Sequence, residues 1–281
     1  MSVAKDFARA AASYDSAAFL AREVGRRMAE RLECVRLKPH RFADIGCATG
    51  DGLRILAARY PQALPLAIDL AYPMLAAVRA RAGWWARLSG RAPRLVNADV
   101  RALPLAAESL DLVWSNLMLH WLEGPDELAA ALTELHRVLA QEGLLHFSLL
   151  GPDTLKELRR LGAPIRRFAD MHDIGDLLAR CGFADPVMEM EMITLTYRSP
   201  RLFLADQRRL GARGLLGHLS WRDWRKLFAA WERQDGFLPA HFEVVYGHAW
   251  KAAPKHAVIH FQRRAATDQA GSAEGSARPR R

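Results

Sequence analysis

The stretch Arg41-Phe42-Ala43-Asp44-Ile45-Gly46-Cys47-Ala48-Thr49-Gly50-Asp51-Gly52 runs from a short apolar strand through a turn into a helix. A backbone that must pass close beneath a ligand needs residues without bulk, and Gly46 and Gly50 supply them. Ala48 takes the middle place, where a small side chain is still tolerated. Two other glycine motifs do not fit. The dinucleotide pattern G-x-G-x-x-G fails because Ala48 and Asp51 occupy its second and third glycine positions. The phosphate loop G-x-x-x-x-G-K-[ST] fails because Asp51 and Gly52 stand where Gly-Lys should be.

Outward from this turn, apolar strands alternate with helical stretches. LPLAIDL (64–70), RLVNADV (94–100), LDLVWSNL (110–117) and LLHFSLL (144–150) read as strands. Helices are expected at about 52–59 and 125–139, the latter with Leu128, Leu132, Leu135 and Leu139 on one side. Such alternation implies βαβ units and a mostly parallel sheet, here seven-stranded, with helices on both faces. Upstream, residues 16–33 have the apolar spacing of an amphipathic helix. Downstream, MHDIGDLLARCGF predicts a helix ending at Gly182. PVMEMEMITLTY (186–197) and HFEVVYGHAW (241–250) predict long strands, and Arg- and Trp-rich residues 200–235 a helical cap. The expected organisation is an N-terminal helical lid (1–38), a ligand-binding core (39–199), the cap (200–240), a final core strand (241–264) and a tail (265–281) of disorder composition.

Open α/β sheets bind ligands at the carboxyl ends of their strands, and chemistry-bearing residues recur there. Asp44 closes the first strand. Asp69 closes the second, 23 residues after Gly46, near the spacing of about 20 at which an acid meets a ribose. An ionised carboxylate can accept two hydroxyls at once. Asn97-Ala98-Asp99-Val100 ends the third strand, and Ser115-Asn116-Leu117 the fourth. Taken singly, each acid is also a plausible helix cap; in order and together they describe one ligand site.

The glycine turn resembles the [DE]-x-G-x-[GA]-x-G loop of class I, Rossmann-like methyltransferases, whose cofactor is S-adenosylmethionine (SAM). The resemblance implies that Asp44, Gly46, Ala48 and Gly50 face the methionine part of SAM, with Asp44 near its ammonium. It places Asp69 on the ribose, Leu70 and Met74 among the other cofactor contacts, Asp99 and Val100 on the adenine, and Asn116 where methyl transfer takes place. More narrowly, residues 5–250 resemble the malonyl-(acyl-carrier protein) O-methyltransferases of biotin synthesis. FARAAASYDSAA (7–18), DLVWSNLMLHW (111–121), LLHFSLLGPDTLKELR (144–159), FADMHDIGDLL (168–178) and EVVYGHAW (243–250) carry that likeness. In that family the acceptor is the free carboxyl of a malonyl thioester. A carboxylate is already a nucleophile, so no general base is required; alignment and exclusion of water would do the work.

Under this resemblance Tyr14 closes over the methyl group, or else staples the N-terminal helix. Arg159 or Arg160 holds the malonyl carboxylate in a fork, or is a solvated helix arginine. Trp121 is a pocket wall, Arg160 a second substrate contact, and His120 a pocket residue or a satisfied core histidine. His172 and Asp173 match a family motif and equally suit a helix cap; no metal site is expected. The chain departs from the family at LGAPIR (161–166), which is shorter than its counterpart, and in a trimmed cap. A mitochondrial complex I assembly factor, an arginine hydroxylase, is similar at LMLHW (117–121). A binding module that keeps SAM as a structural ligand is a third alternative. Nucleic-acid methylation is disfavoured, since no Asn-Pro-Pro-[Phe/Tyr] motif ends the fourth strand.

Composition is that of a globular protein of 281 residues, 51% apolar and 25% charged. Asp6, Arg9 and Asp15 interrupt the N-terminal stretch before it reaches signal-peptide character, and no run has the length of a membrane span. Cys34, Cys47 and Cys181 show no metal or redox spacing, so a reducing cytoplasm is the expected compartment. The net charge of +9 points to an acidic partner, which an acyl carrier protein is, or to an Arg-rich proteome. Charge complementarity raises encounter rates and is screened by salt. Activity on a carrier-protein substrate is therefore expected to fall several-fold between about 50 and 200 mM salt, measured as initial rates; a salt-independent rate would remove charge from the recognition.

Overall fold

In the computed structural model, residues 3–82 and 92–252 are described. Seven strands form one sheet: β1 (Arg41–Ile45), β2 (Leu64–Asp69), β3 (Arg94–Asn97), β4 (Leu110–Asn116), β5 (Leu139–Leu150), β6 (Ala184–Tyr197) and β7 (Leu238–Trp250). Their order is β3-β2-β1-β4-β5-β7-β6. The first five pair in parallel, and β7 runs antiparallel between β5 and β6. The expected mostly parallel, seven-stranded α/β sheet is the one that forms.

Side chains alternate across this sheet with a period of two, and both faces are covered. Phe42, Leu112 and Trp114 pack on one side with Val24, Met28 and Leu56. Ala43, Ile45 and Val113 pack on the other with Leu132, Leu135 and Val138. Helices α1 (Val3–Ala10), α2 (Phe19–Arg31), α3 (Asp51–Arg59) and α4 (Tyr72–Arg81) belong to the first half of the chain. Next come α5 (Gly124–Val138), α6 (Lys156–Arg160) and α7 (Met171–Arg180), then α8 (Pro200–Arg209) and α9 (Trp221–Ala230) in the cap.

Three boundaries differ from the sequence reading. The N-terminal region is two helices, α1 and α2, with a 3-10 turn at Tyr14–Ser16 between them. Leu139 is not the last turn of a helix: it pairs with Leu110 as the first residue of β5, so α5 passes into a strand with no loop. The span 200–235 is not one helical unit. It breaks at Gly211, whose φ is +72° and whose α-carbon abuts α1; a β-carbon there would lie 2.9 Å from Phe7 Cα. A new helix starts after Ser220, whose hydroxyl accepts from the Asp223 N–H. Gly182, with φ +92°, ends α7 as expected. Asp170 rather than Asp173 caps that helix, accepting from His172 N at 2.9 Å. The tail from 265, and residues 253–264 of the final segment, lie outside the described residues.

Helix α2 is tied to the sheet by charge as well as packing. Arg31 Nε reaches Glu189 at 2.9 Å and Arg27 pairs with Glu191, both acids on the edge strand β6. The buried ring of His146 on β5 donates through Nε2 to the Met28 carbonyl at 3.0 Å.

Gly247 on β7 lies against fully buried Phe147 of β5; a β-carbon would stand 2.2 Å from Phe147 Cζ and 2.9 Å from Met188 Sδ. Gly247→Ala is expected to destabilise the fold by about 1–3 kcal/mol, as overpacking does. It should show as a lower urea midpoint with unchanged slope.

Candidate active site

The turn after β1 is built on three left-handed residues: Gly46 (φ 72°), Ala48 (φ 44°) and Gly50 (φ 94°). Gly46 and Cys47 both donate to the Ile68 carbonyl, at 2.9 and 3.1 Å, which folds the turn back over β2. At Gly46 a side chain is doubly barred, since a β-carbon would sit 2.3 Å from Met118 Cγ. Ala48 bears the left-handed strain of an ordinary residue, about 1–2 kcal/mol. Its N–H donates to Asp69 Oδ2 at 2.9 Å, while Asp69 Oδ1 accepts from Ala71 N at 2.8 Å. A carboxylate offers about four lone-pair sites, so Asp69 keeps two for a ligand. Burial raises its pKa, and the two N–H bonds oppose that rise.

Strand order reverses between β1 and β4, and a cleft of about 280 Å³ opens there. Of the residues singled out in the sequence, Tyr14, Gly46, Ala48, Asp69, Leu70, Asp99, Val100, Asn116 and Trp121 line it. Asp99 is engaged by Arg101, whose Nη2 lies 2.6 Å from Oδ2 and whose backbone N–H donates to Oδ1. Arg101 holds that carboxyl below the usual range. The Asn116 amide is committed on both sides: Nδ2 donates to Ala21 O at 2.8 Å, and Oδ1 accepts from Ser148 Oγ at 2.9 Å.

Three of the expected cofactor residues stand behind the cleft instead of in it. Asp44 is buried beneath the turn, its carboxylate accepting from Leu53 N–H and facing Gly52 beside Trp114 Nε1. Burial, then the neighbouring charge of Asp69, push its pKa up to about 8. Gly50 serves the backbone, capping α3 against Val78. Met74 is fully buried in α4. The two arginines also lie elsewhere. Arg159 spends its guanidinium on the Pro152 and Arg166 carbonyls, and Arg160 is exposed on α6.

A second, smaller cavity of about 80 Å³ adjoins the cleft, and the two share Phe7, Tyr14, Leu117 and Trp121 as lining. Its remaining walls include His120, Leu195, Tyr197, Gln207 and Phe242. Burial lowers the His120 pKa to about 3, aided by Arg166, so its imidazole is neutral. Tyr14 therefore stands on the boundary of the two spaces. Its hydroxyl is kept protonated by burial first, then by the negative charges of Asp69, Asp51 and Asp44.

Several of these residues escaped the sequence reading. Val3, Ala4 and Phe7 of α1 line the cleft; the spacing of Val3, Phe7 and Ala10 is helical and was a usable signal. Asp15 fastens the Tyr14 turn to the glycine turn, accepting from Thr49 Oγ1 at 2.6 Å and pairing with Arg81 of α4. Gln207 carried no such signal.

Residues 43–147 match the model of a family described as "Methyltransferase domain". The chain is 51% identical to the malonyl-(acyl-carrier protein) O-methyltransferase of Gallionella capsiferriformans, over 89% of this chain and 90% of that protein. It is 50% identical to the enzyme of the same name from Laribacter hongkongensis, over 90% of each. Among solved structures it is similar to the YcgJ protein of Bacillus subtilis, with a TM-score of 0.58 at 17% identity, covering 82% of this chain and 99% of that one.

Removing the Asp69 carboxylate should cost the cofactor two charge-assisted hydrogen bonds. Asp69→Ala is expected to weaken SAM binding by about 1.5–3 kcal/mol, read by calorimetry. Unchanged affinity would take Asp69 out of the site.

Proposed function

Because this chain belongs to the malonyl-(acyl-carrier protein) O-methyltransferase family, and is a SAM-dependent methyltransferase, we propose that it esterifies the free carboxylate of a malonyl thioester. The thioester is carried on acyl carrier protein, or on coenzyme A as the simpler form, and the reaction belongs to the making of the biotin precursor in the cytoplasm. Among the described residues no helix is long and apolar enough to cross a membrane. The family name held by the relatives favours this reading over the arginine hydroxylase and the non-catalytic module.

One observation carries the proposal: the cofactor cleft and the second cavity meet at Tyr14. The residues suit SAM. Asp69 has two lone-pair sites to spare for a ribose, and the glycine turn leaves room for a chain to pass. The carboxylates of Asp69 and Asp51, which act on Tyr14 after burial does, would stabilise a cation in the same place. When bound, SAM supplies a methyl group on a positively charged sulfur. This chain's residues would hold a carboxylate oxygen in line with that methyl carbon, where the O–CH₃ bond would form as the S–CH₃ bond broke and its electron pair stayed on sulfur. No proton has to move. His120, neutral and beside the acceptor space, is accordingly not needed as a base.

The protein's contribution is alignment and dryness. Two opposite charges are partly neutralised in the transition state, so surroundings that exclude water favour the reaction over the solvated reactants. Phe7 and Trp121 meet edge to face at 5.4 Å and close the cleft from the side of α1. Arg166 holds the Trp121 and Leu122 carbonyls at 3.0 Å each and fixes that wall. We assign Tyr14 as the donor that orients the carboxylate toward the methyl carbon, with residues 3–16 acting as a lid.

Incubation of the pure protein with SAM and malonyl-acyl carrier protein should yield the methyl ester, detected by mass spectrometry, and the gene should rescue a strain unable to make the pimeloyl precursor of biotin. Absence of ester together with failed rescue would end the substrate assignment. Tyr14→Phe is expected to lower kcat by about 10- to 100-fold, as losing a donor at the reacting centre does, with SAM affinity nearly unchanged. The opposite pattern would make Tyr14 a cofactor contact.

A further inference from the structure

Gln207 is the most informative side chain of the second cavity. Helix α8 turns two residues fully inward, Phe203 and Gln207, one helical turn apart. Phe203 packs in the core between Tyr197 and Trp231, edge to face with both. At Gln207 the same inward face carries an amide that is only 3% exposed. Among the described residues this amide makes no hydrogen bond, although it lines the cavity. Leaving a buried polar group unpaired has a desolvation cost, and buried polar groups in native proteins overwhelmingly have partners; the Gln207 amide opens on the cavity in place of such a partner. A leucine would fill the position without that cost.

The other polar groups on the cavity wall share this condition. Neither Tyr14 nor Tyr197 donates its hydroxyl to any described residue, and both phenols are held protonated by burial in the first place. His120 accepts weakly at Nδ1 from Leu150 N, 3.4 Å away, which leaves the proton of the neutral ring on Nε2. Everything else around the space is apolar, with Leu20, Leu150, Leu195, Leu215 and Phe242 among the walls. No lysine or arginine side chain lines it among the described residues. The cavity thus presents neutral donors, in apolar surroundings, to whatever enters.

We propose that Gln207, with the hydroxyls of Tyr197 and Tyr14, is the recognition site for the acceptor's carboxylate, and that it binds through neutral hydrogen bonds with no arginine fork. This deepens the assigned function and rests on it. The chemistry favours such a design. The carboxylate loses its charge as the ester forms, so a guanidinium would hold the reactant more tightly than the transition state and slow the step. Neutral donors select the carboxyl group and give up less when its charge is lost. The fixed positive partner in the dry site is then the methyl donor itself.

The test is kinetic, on the full-length protein with a malonyl thioester. Gln207→Leu is expected to raise the KM for the thioester about tenfold or more, the cost of one buried hydrogen bond to a charged group, with SAM affinity within about twofold. Its melting temperature should be equal or higher, because an apolar residue of similar size now fills an apolar wall. That split is what a merely structural glutamine would not give. Gln207→Glu, which keeps the shape, should raise KM further, and more at high pH than at low pH, as the two carboxylates repel. Tyr197→Phe should raise KM in the same direction. An unchanged KM in Gln207→Leu, or parallel loss of SAM affinity and stability, would overturn the proposal. The wild-type rate reports separately on the substrate: no ester from the wild type sinks the substrate assignment, whereas an active wild type matched by Gln207→Leu sinks only the carboxylate site.

Discussion

Two backbone N–H groups held by one carboxylate organise this molecule. Asp69 binds Ala48 N and Ala71 N, and so joins the glycine turn that follows β1 to the chain leaving β2. Each partner constrains the other. The turn can stay in its left-handed, strained course because Asp69 and the Ile68 carbonyl hold it. Asp69, in exchange, has its oxygens fixed in direction, with their free lone pairs toward the cleft. Burial alone would push this carboxyl toward its neutral form, and the two N–H groups act against that. The cleft, its reversed strand order and its electrostatics all refer back to this joint.

Around it the chain uses its first thirty or so residues as a separate fixture. The Tyr14 turn is secured by Asp15 to Thr49 and Arg81, and α1 leans on Trp121 and on the glycine that interrupts the cap. Asn116 uses one donor and one acceptor of its amide to join β4 to α2 and β5. Asn116 thus joins protein segments as well as lining the cleft. The buried carboxyl of Asp44 supports the turn from below.

What could be foreseen follows from which constraints act locally. Gly46 and Gly50 were legible because positive φ and close approach leave few alternatives to glycine. Asp69 was legible because an acid at a strand's carboxyl end, at that distance from the turn, has few purposes. Asp44 lies beneath the turn and not on the cleft wall, because strand alternation decides which way a side chain points and a motif does not say which face that is. Met74 is buried in the core-facing side of α4, a helix that contributes no side chain to the cleft wall. Arg159 and Arg160 have the same chemistry on paper, yet the terminal nitrogens of one go to backbone carbonyls and the other meets water. Gln207 sits among arginines and aspartate in α8, where a lone glutamine looks like surface. Only the packing of α8 on the sheet turns it inward.

Helix α2 is riveted in place at the Met28 carbonyl, at Ala21, and through Arg27 and Arg31 to the edge of the sheet. A spent nucleoside that has to leave after each turnover cannot do so by lifting this helix without breaking several bonds at once. The residues ahead of it are held on the glycine turn by a single aspartate. Under the proposed lid role, departure and reloading fall to that short leading segment, whose grip on Thr49, Arg81, Trp121 and Arg209 would set how long a finished product is retained.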